Sequence, residues 1–349
     1  MRIAVAMSGG VDSSVAAAVL SEQGHDVVGL TLKIWDSSRC CSLEDVEDAR
    51  RAASRLGIAF FVVDAREIFE AEVVAPFVQA YSQGLTPNPC LLCNRRVKFR
   101  WLLERTRALG CEALATGHYA RVTREGGTVV LRRGRDKGKD QSYFLFALKP
   151  AQLARVRLPL GELTKREVRA VAAELGLPNA AKPESQDVCF LPEGGAYVQV
   201  LEAMAPERLP GAGEVVDGEG RVGGRLRGYH RFTVGQRRGL GVAGQKRLYV
   251  LSVQPAANRV VVGGQEEALR RKLALRDVNW LAPRTDAAVE AEVQVRSRNQ
   301  PARATVTLGE NGTAEVEFAR PVLSPAPGQA AVCYAGDRLL GGGWIVSTA

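Results

Sequence analysis

The sequence predicts a multidomain α/β plus β protein: an N-terminal parallel sheet covered by helices, a small central β-rich domain and a C-terminal antiparallel β-barrel. Three observations predict it. Over the first 120 residues short apolar stretches alternate with helix-like ones, the order of a parallel sheet with helices on both faces. After about residue 200 glycine becomes dense and the pieces turn strand-like. From about residue 270 apolar and polar residues alternate cleanly, the period of strands with one buried face. The boundaries that follow are 1–199, 200–268 and 269–349, and a chain of 349 residues has room for two or three domains.

Each element has its own signal. RIAVAM (2–7) is a strand and DSSVAAAVLSEQG (12–24) a helix stopped at Gly24. DVVGLTLKI (26–34) is a second strand, SLEDVEDARRAASRLG (42–57) a helix stopped at Gly57, and AFFVVDA (59–65) a third strand. NRRVKFRWLLERTRALG (94–110) is a helix with Asn94 as N-cap and Gly110 as its stop, followed by the strand CEALATGHY (111–119). TKRE (164–167) is a capping box, with Glu167 able to reach the Thr164 amide, and the helix it opens ends near Gly176. In the last domain VEAEVQVRS, ARATVTL and AEVEFA are strands, and Asn311-Gly312 is a hairpin turn between two of them.

Hydrophobic residues make up 46% of the chain and charged ones 24%, ordinary for a globular protein with sizeable cores. No apolar run approaches the roughly 18 residues of a membrane span, and the N-terminus does not fit a signal peptide, so no membrane and a cytoplasmic location are expected. The net charge of +9 suits a polyanionic partner. RVTREGGTVVLRRGRDKGKD (121–140) concentrates that charge in a glycine-rich hairpin, either a phosphate-contacting element or a solvated surface. The seven cysteines, at 40, 41, 90, 93, 111, 189 and 333, are odd in number, against a disulfide scaffold. Cys111 and Cys333 read as packing residues, Cys40 and Cys41 as bystanders after the second strand, and Trp35, Trp101, Trp280 and Trp344 as core or interface residues.

The sharpest motif is AMSGGVDSS (6–14), which follows a strand and opens a helix. Consecutive glycines present bare amides, the helix N-terminus adds partial positive charge, and Ser8, Ser13 and Ser14 add hydroxyls: a pyrophosphate cradle. No Gly-Lys-Ser/Thr closes it, so it is not a Walker A loop. Asp12 can help hold a magnesium ion bridging phosphates.

SGGVDSS is the signature of the PP-loop ATP pyrophosphatases, which cleave ATP between its α and β phosphates. TPNPCLLCN, ATGHYAR, KDQSYFL, PLGELTKREVR, KPESQDVCF and VGQRRGL follow in this order, and together they resemble the tRNA-specific 2-thiouridylases. The resemblance implies an enzyme that adenylates the C2 oxygen of wobble uridine U34 in tRNA and replaces it with sulfur. It implies ATP and Mg2+, tRNAs for Lys, Glu and Gln gripped at the anticodon arm, and a sulfur donor: a relay protein, a cysteine desulfurase or hydrosulfide. By resemblance Ala6, Met7, Ser8, Gly9, Gly10, Val11, Asp12, Ser13, Leu32 and Gly117 bind ATP. Asn88, Pro89 and Cys90 touch the target base, and His118, Lys139, Asp140, Gln141, Arg296, Ser297 and Gln329 contact tRNA. His118 also fits a hydrogen-bonded structural histidine. VRSRNQ stands where many relatives have an aromatic residue after the first arginine, which departs from the pattern at Ser297.

Cys93 stands before Asn94 and a helix opening with Arg95, Arg96 and Lys98, a setting that favours the thiolate. In the family it faces Cys189, and one scheme makes Cys189 the persulfide carrier and Cys93 its partner. The best-known family pattern has aspartate where Cys90 stands. Cys90, Cys93 and Cys189 therefore form a three-thiolate set able to ligate a [4Fe–4S] cluster with one open iron, with zinc as the rival metal. Persulfide chemistry without metal is the other reading. Two further functions compete: a PP-loop amidoligase acting on a small molecule, which has no use for the three cysteines, and a non-catalytic RNA-binding protein, which would release no pyrophosphate.

Overall fold

A computed structural model describes residues 1–34, 43–184, 188–191, 196–242 and 247–349. Trp35, Cys40 and Cys41 lie outside these residues. The chain forms two compact units. The first comprises Met1–Val74, Pro89–Gly195 and Asp337–Leu339; the second comprises Ala75–Asn88, Ala196–Gly336 and Leu340–Ala349.

The first unit is built on a parallel sheet. Its strands are β1 (Arg2–Ala6), β2 (Asp26–Lys33), β3 (Ala59–Asp64), β4 (Ala113–Thr116) and, beyond the hairpin of β5 (Ala120–Glu125) and β6 (Thr128–Arg133), the short β7 (Val156–Arg157). The spatial order is β3-β2-β1-β4-β7. Chain order reverses between β1 and β4, so the crevice beyond their carboxyl ends is the place where such sheets take ligands. β1 is buried on both faces, as its unbroken apolar run requires. Helix α1 (Val11–Glu22) is buried on nearly all sides, and its alanines let it lie close to the sheet. Helix α2 (Leu43–Leu56) packs through Ala49, Ala52 and Ala53 while its other faces carry charge.

The predicted capping box is present. Thr164 caps helix α3 (Lys165–Glu174), and the Thr164 amide donates to Glu167 Oε2 at 2.6 Å. Bonds from the Thr164 amide and hydroxyl, together with Arg135, hold the Glu167 pKa at about 2, against 4.5 for an unperturbed glutamate. A depressed carboxylate stabilises the fold above its unfolded pKa and loses that contribution as pH falls through the folded value. Glu167→Gln should therefore melt below the native protein at neutral pH. The gap should close as pH drops from about 4.5 to about 2 in a series of thermal melts.

Two helical features depart from the sequence expectations. The helix expected to start at Asn94 begins earlier, at Pro89–Leu92, and continues as a π-helix over Cys93–Leu102. Asn94 is therefore no N-cap. It is 3% exposed, and its side-chain amide donates to the Phe144 carbonyl at 3.2 Å. Residues 66–82 are also helical, in three consecutive pieces, Arg66–Phe69, Glu70–Val74 and Ala75–Ser82. Phe69, Val73, Phe77 and Tyr81 recur every four residues there and are all buried.

In the second unit Ala75–Ser82 lies against helix α4 (Tyr197–Met204). The Tyr81 and Tyr197 rings stack at 4.4 Å, and the Tyr229 hydroxyl donates to the Ser82 carbonyl. A small mixed sheet follows: β8 (Gly213–Val216), β9 (Val222–Leu226), β10 (Tyr249–Gln254) and β11 (Arg259–Gly263), in the order β10-β11-β8-β9. The last element is a closed antiparallel barrel of β12 (Leu269–Trp280), β13 (Val289–Gln294), β14 (Ala302–Leu308), β15 (Ala314–Leu323), β16 (Ala330–Ala335) and β17 (Arg338–Thr348), sealed by β12 pairing with both β15 and β17. Alternation fills it: Leu273, Leu275, Val293, Val306, Val316 and Phe318 point into one core. Asn311 and Gly312 both take positive φ, 51° and 72°, between β14 and β15, as the hairpin signal requires. No helix among the described residues is long and apolar enough to cross a membrane.

Candidate active site

Ala6 closes β1 and Val11 opens α1, so Met7 to Gly10 must make the turn. The Met7 amide donates to Leu30 O at 2.7 Å, tying the turn to β2. Ser13 folds back over it: its Oγ accepts from the Ser8 amide at 3.1 Å and donates to Gly10 O at 3.0 Å. Gly10 is the N-cap of α1, and no side chain caps the first turn. The helix thus presents its opening amides and dipole in the crevice between β1 and β4, a setting for phosphate. Gly117, just past β4, comes so close that a Cβ there would lie 2.8 Å from the Asp12 carbonyl carbon and 2.9 Å from the Ser13 nitrogen. Leu32 lies buried in β2.

Asn179 braces this loop from behind. Its Nδ2 donates at 2.9 Å both to Gly9 O and to Ser14 Oγ, and the residue is 2% exposed. Asn179→Ala leaves two buried acceptors without that donor, which costs about 1–3 kcal/mol. Thermal melts with and without ATP should show a lower midpoint and a smaller ATP-induced rise.

Around the loop runs a chain of charges. Lys165 Nζ lies 2.7 and 2.8 Å from the two Asp12 oxygens and 2.6 Å from Glu184 Oε1. The Tyr119 hydroxyl donates to Asp12 Oδ1 at 2.7 Å; burial and that carboxylate push its pKa far up, so it stays a donor. Lys139 Nζ holds the other Glu184 oxygen at 2.5 Å. Burial raises the Glu184 pKa, but the bonds from Lys139 and Lys165 outweigh it and keep the carboxyl below the usual range. Lys182 bridges Asp45, at 2.8 Å, and Asp48 on α2. Burial works against the Asp48 carboxylate too, yet Lys182 and Arg51 hold its pKa down.

The thiols occupy two segments of the same unit. Cys90 and Cys93, three apart on a helical run, share a face; Cys90 is half-buried and Cys93 is 9% exposed. Cys189 is half-buried, and the next residue, Phe190, packs edge-on against Phe69 at 5.9 Å. The helical segment that carries Phe69 continues to Glu72, which pairs with Arg96 at 2.9 Å, three residues beyond Cys93. Both thiol segments are thus anchored on the residue 66–74 helix. Among the described residues no group of three or more His, Cys, Asp or Glu is arranged to hold a metal ion. Cys90, Cys93 and Cys189 have the right donor chemistry for a [4Fe–4S] cluster or zinc, but this geometry does not gather them as ligands. Cys111 and Cys333 are buried, and burial raises both thiol pKa values, that of Cys333 to about 12.

The residues expected at tRNA are placed as follows. His118 Nδ1 is 2.6 Å from Thr116 Oγ1, and burial together with the Lys98 charge pushes its pKa well below the ordinary imidazole value. Asp140 is committed internally: it accepts from Arg133, the Gly134 amide and both the amide and hydroxyl of Ser142. Gln141 accepts from the Tyr119 amide at 3.0 Å and Lys139 from the same loop holds Glu184. The basic hairpin is largely neutralised within the unit. Arg121 and Arg132 pair with Asp337, Arg132 also with Glu125, and Arg135 with Glu167.

In the second unit Gln329 donates to Thr86 O at 2.9 Å, and the Thr86 amide donates to Pro327 O at 2.8 Å. The irregular segment leading to Asn88 is thereby pinned to the β15–β16 loop. Arg296 donates to the carbonyls of Val234 at 2.8 Å and Ser324 at 2.7 Å, beside the half-buried Ser297.

Three family models match along the chain: a tRNA methyl transferase HUP domain over residues 1–193, a tRNA methyl transferase PRC-barrel domain over 199–264 and an aminomethyltransferase beta-barrel domain over 270–345. The tRNA-specific 2-thiouridylase MnmA of Geobacter metallireducens is 50% identical over 358 residues, covering 99% of this chain and 96% of that one. The chain belongs to the tRNA-specific 2-thiouridylase family. The 2-thiouridylase MnmA of Rhodospirillum centenum is 48% identical, covering 99% of this chain and 91% of the relative. A solved U34-tRNA thiolase, NcsA of Methanococcus maripaludis with its [4Fe-4S] cluster, matches 54% of this chain and 60% of its own at 19% identity and a TM-score of 0.36, too distant to bear on the cluster question.

Several residues of this thiouridylase site were not singled out from sequence: Lys165, Tyr119, Asn179, Glu184 and the Lys182–Asp45–Asp48 group. Lys165 directly follows the N-cap in TKRE, where the capping pattern drew attention to Thr164 and Glu167. Its approach to Asp12 crosses 153 residues of chain, for which no local pattern exists.

Proposed function

We propose that the first unit carries out two successive half-reactions of ATP-dependent tRNA 2-thiolation, adenylation at the phosphate loop and sulfur transfer at Cys93 and Cys189. The observation that carries this reading is the uncapped α1 turn with both thiol segments in one unit, in a chain that aligns with 2-thiouridylases over 99% of its length. The C2 oxygen of U34 attacks the α-phosphorus of ATP; pyrophosphate leaves and C2 bears an O-adenylate. A persulfide on Cys189 then attacks C2 through its outer sulfur, and AMP departs with the original oxygen. The Cys93 thiolate attacks the Cys189 sulfur, the persulfide bond breaks, and its electron pair remains on the sulfur that becomes the C2 thiocarbonyl. A Cys93–Cys189 disulfide results, which a thiol reductant resets with two electrons.

The chain's part is positional. Amides of the loop and of α1 gather phosphate oxygens and offset their charge. Asp12 is the oxygen donor the loop offers to Mg2+, a hard cation that neutralises phosphate charge, and in this structure its oxygens face Lys165. Because this geometry does not gather the three cysteines as metal ligands, no step is assigned to a cluster. The persulfide sulfur comes from a relay protein or a cysteine desulfurase, the substrates are the Lys, Glu and Gln tRNAs, and the site of action is the cytoplasm. The test is incubation with ATP, a persulfide donor and unmodified tRNA, followed by nucleoside analysis. The expected product is 2-thiouridine; tRNA binding without pyrophosphate release would overturn the proposal.

A further inference from the structure

The C2 oxygen is common to uracil and cytosine, so a chemistry that acts on it does not by itself choose between them. The two bases differ at C4, where uracil carries a carbonyl acceptor and cytosine an amino donor. His118 stands where that difference can be read. Its neighbour Gly117 abuts the backbone of Asp12 and Ser13 at the start of α1, and Tyr119 on its other side donates to Asp12. The His118 ring lies 5.8 Å from that of Phe99, which follows Cys93 on one helical segment, Cys93–Leu102. A pyrimidine whose C2 oxygen meets the α-phosphorus, and whose C2 then meets sulfur, has to lie between the loop and that segment, beside His118.

The ring is held in one tautomer. Thr116 is 3% exposed, and its Oγ1 lies 2.6 Å from His118 Nδ1 and accepts from the His118 amide at 3.5 Å. Among the described residues the hydroxyl hydrogen has no acceptor other than Nδ1, and a buried hydroxyl without an acceptor is costly. The hydroxyl therefore donates to Nδ1, which leaves the ring hydrogen on Nε2. Burial and the Lys98 charge keep the imidazole neutral, so Nδ1 stays the acceptor of that bond. Nε2 has no partner among the described residues, and it is not one of the unpaired atoms sealed in the interior. We propose that His118 is the specificity-determining residue that selects uracil over cytosine, its Nε2–H donating to the C4 oxygen of the target base. Cytosine meets the same fixed donor with its amino group, so two donors face each other and neither is satisfied. The inference rests on the reading that the first unit acts on the C2 oxygen of a uracil in tRNA.

The test is equilibrium binding of tRNA to the full chain in the presence of α,β-methylene-ATP. Two tRNA transcripts are compared, identical except for U34 or C34. The native protein should bind the U34 transcript about 10- to 100-fold more tightly than the C34 one. His118→Phe should bring that ratio to within about twofold of one by weakening U34 binding. Its affinity for the C34 transcript should change little, which reports an intact grip on tRNA. Thr116→Val keeps the ring but removes the hydroxyl that fixes its tautomer. It should narrow the ratio from the other side, by strengthening C34 binding, because Nε2 then accepts from the cytosine amino group. Equal native affinities for the two transcripts overturn the proposal. So does the native ratio retained in Thr116→Val, or in a His118→Phe protein that still binds tRNA. A His118→Phe protein that binds neither transcript leaves Thr116→Val to decide. A native protein that prefers U34 but forms no 2-thiouridine with ATP and a persulfide donor overturns the thiolation reading, not the base selection.

Discussion

Cys93→Ser should reduce formation of 2-thiouridine by about three orders of magnitude or more while leaving tRNA-dependent pyrophosphate release within a few-fold of native. A serine hydroxyl fits the space of the 9% exposed thiol, so the fold is expected to persist. It cannot attack a persulfide, because no stable O–S product corresponds to the Cys93–Cys189 disulfide. The proposal places adenylation at the loop after β1, which the substitution does not touch. Single-turnover reactions with persulfide-loaded enzyme separate the steps: pyrophosphate and then AMP should be released, and a covalent adduct of C2 with the Cys189 persulfide should accumulate, cleavable by an added thiol. An amidoligase acting on a small molecule would form no 2-thiouridine at all and would keep its own activity when Cys93 is changed. Thiolation at native rate by Cys93→Ser would remove Cys93 from the chemistry.

Gly9→Ala is expected to be the most damaging change in the phosphate loop. Gly9 has φ +76°, and a Cβ built on it lies 2.9 Å from the Asp45 carbonyl carbon and nearer still to its oxygen. The left-handed backbone alone costs an L-residue about 1–2 kcal/mol, and forcing atoms into a packed site typically adds about 1–3 kcal/mol. Loop or helix must move, and the loop amides lose their alignment. A combined penalty of about 2–5 kcal/mol, if it falls on nucleotide-bound states, is roughly a 30- to 5000-fold loss in kcat/KM for ATP. Gly24→Ala is the control. Gly24 has φ +79° with nothing within 4 Å of the added Cβ, so it should lower the melting midpoint without changing kinetics for ATP. Equal effects at the two positions would show that Gly9 matters for backbone strain alone.

Much of the fold could be read along the chain because its signals are local. The strand at 2–6, the helix at 11–22 and the Thr164 cap rest on residues within one or two turns of each other. The π-wound segment at Cys93–Leu102 defied that reading. Asn94 looked like a cap because its side chain suits one, whereas tertiary packing buries it and supplies the Phe144 carbonyl as its partner. The helix over residues 66–82 was legible in the four-residue spacing of Phe69, Val73, Phe77 and Tyr81 and was missed. The basic stretch at 121–140 was correctly a hairpin over β5 and β6, while the partners of its charges could not be read from the sequence. Glu125, Asp140, Glu167 and Asp337 engage several of its arginines.

By itself the sequence determined the reaction class, the phosphate loop, the cysteines that carry the sulfur hypothesis and the order of the domains' elements. These depend on residue types at fixed short spacings, which chain chemistry alone preserves. Only the tertiary structure decided that Asp12 faces Lys165 and Tyr119, that Asn179 braces Gly9, and that Glu184 shares a cation with the nucleotide loop. The physical reason is range. A partly buried charge gains from a counter-charge wherever the fold supplies one, and here the partners of Asp12 stand 107 and 153 residues away, brought together by the packing of α1 and α3 beside one sheet.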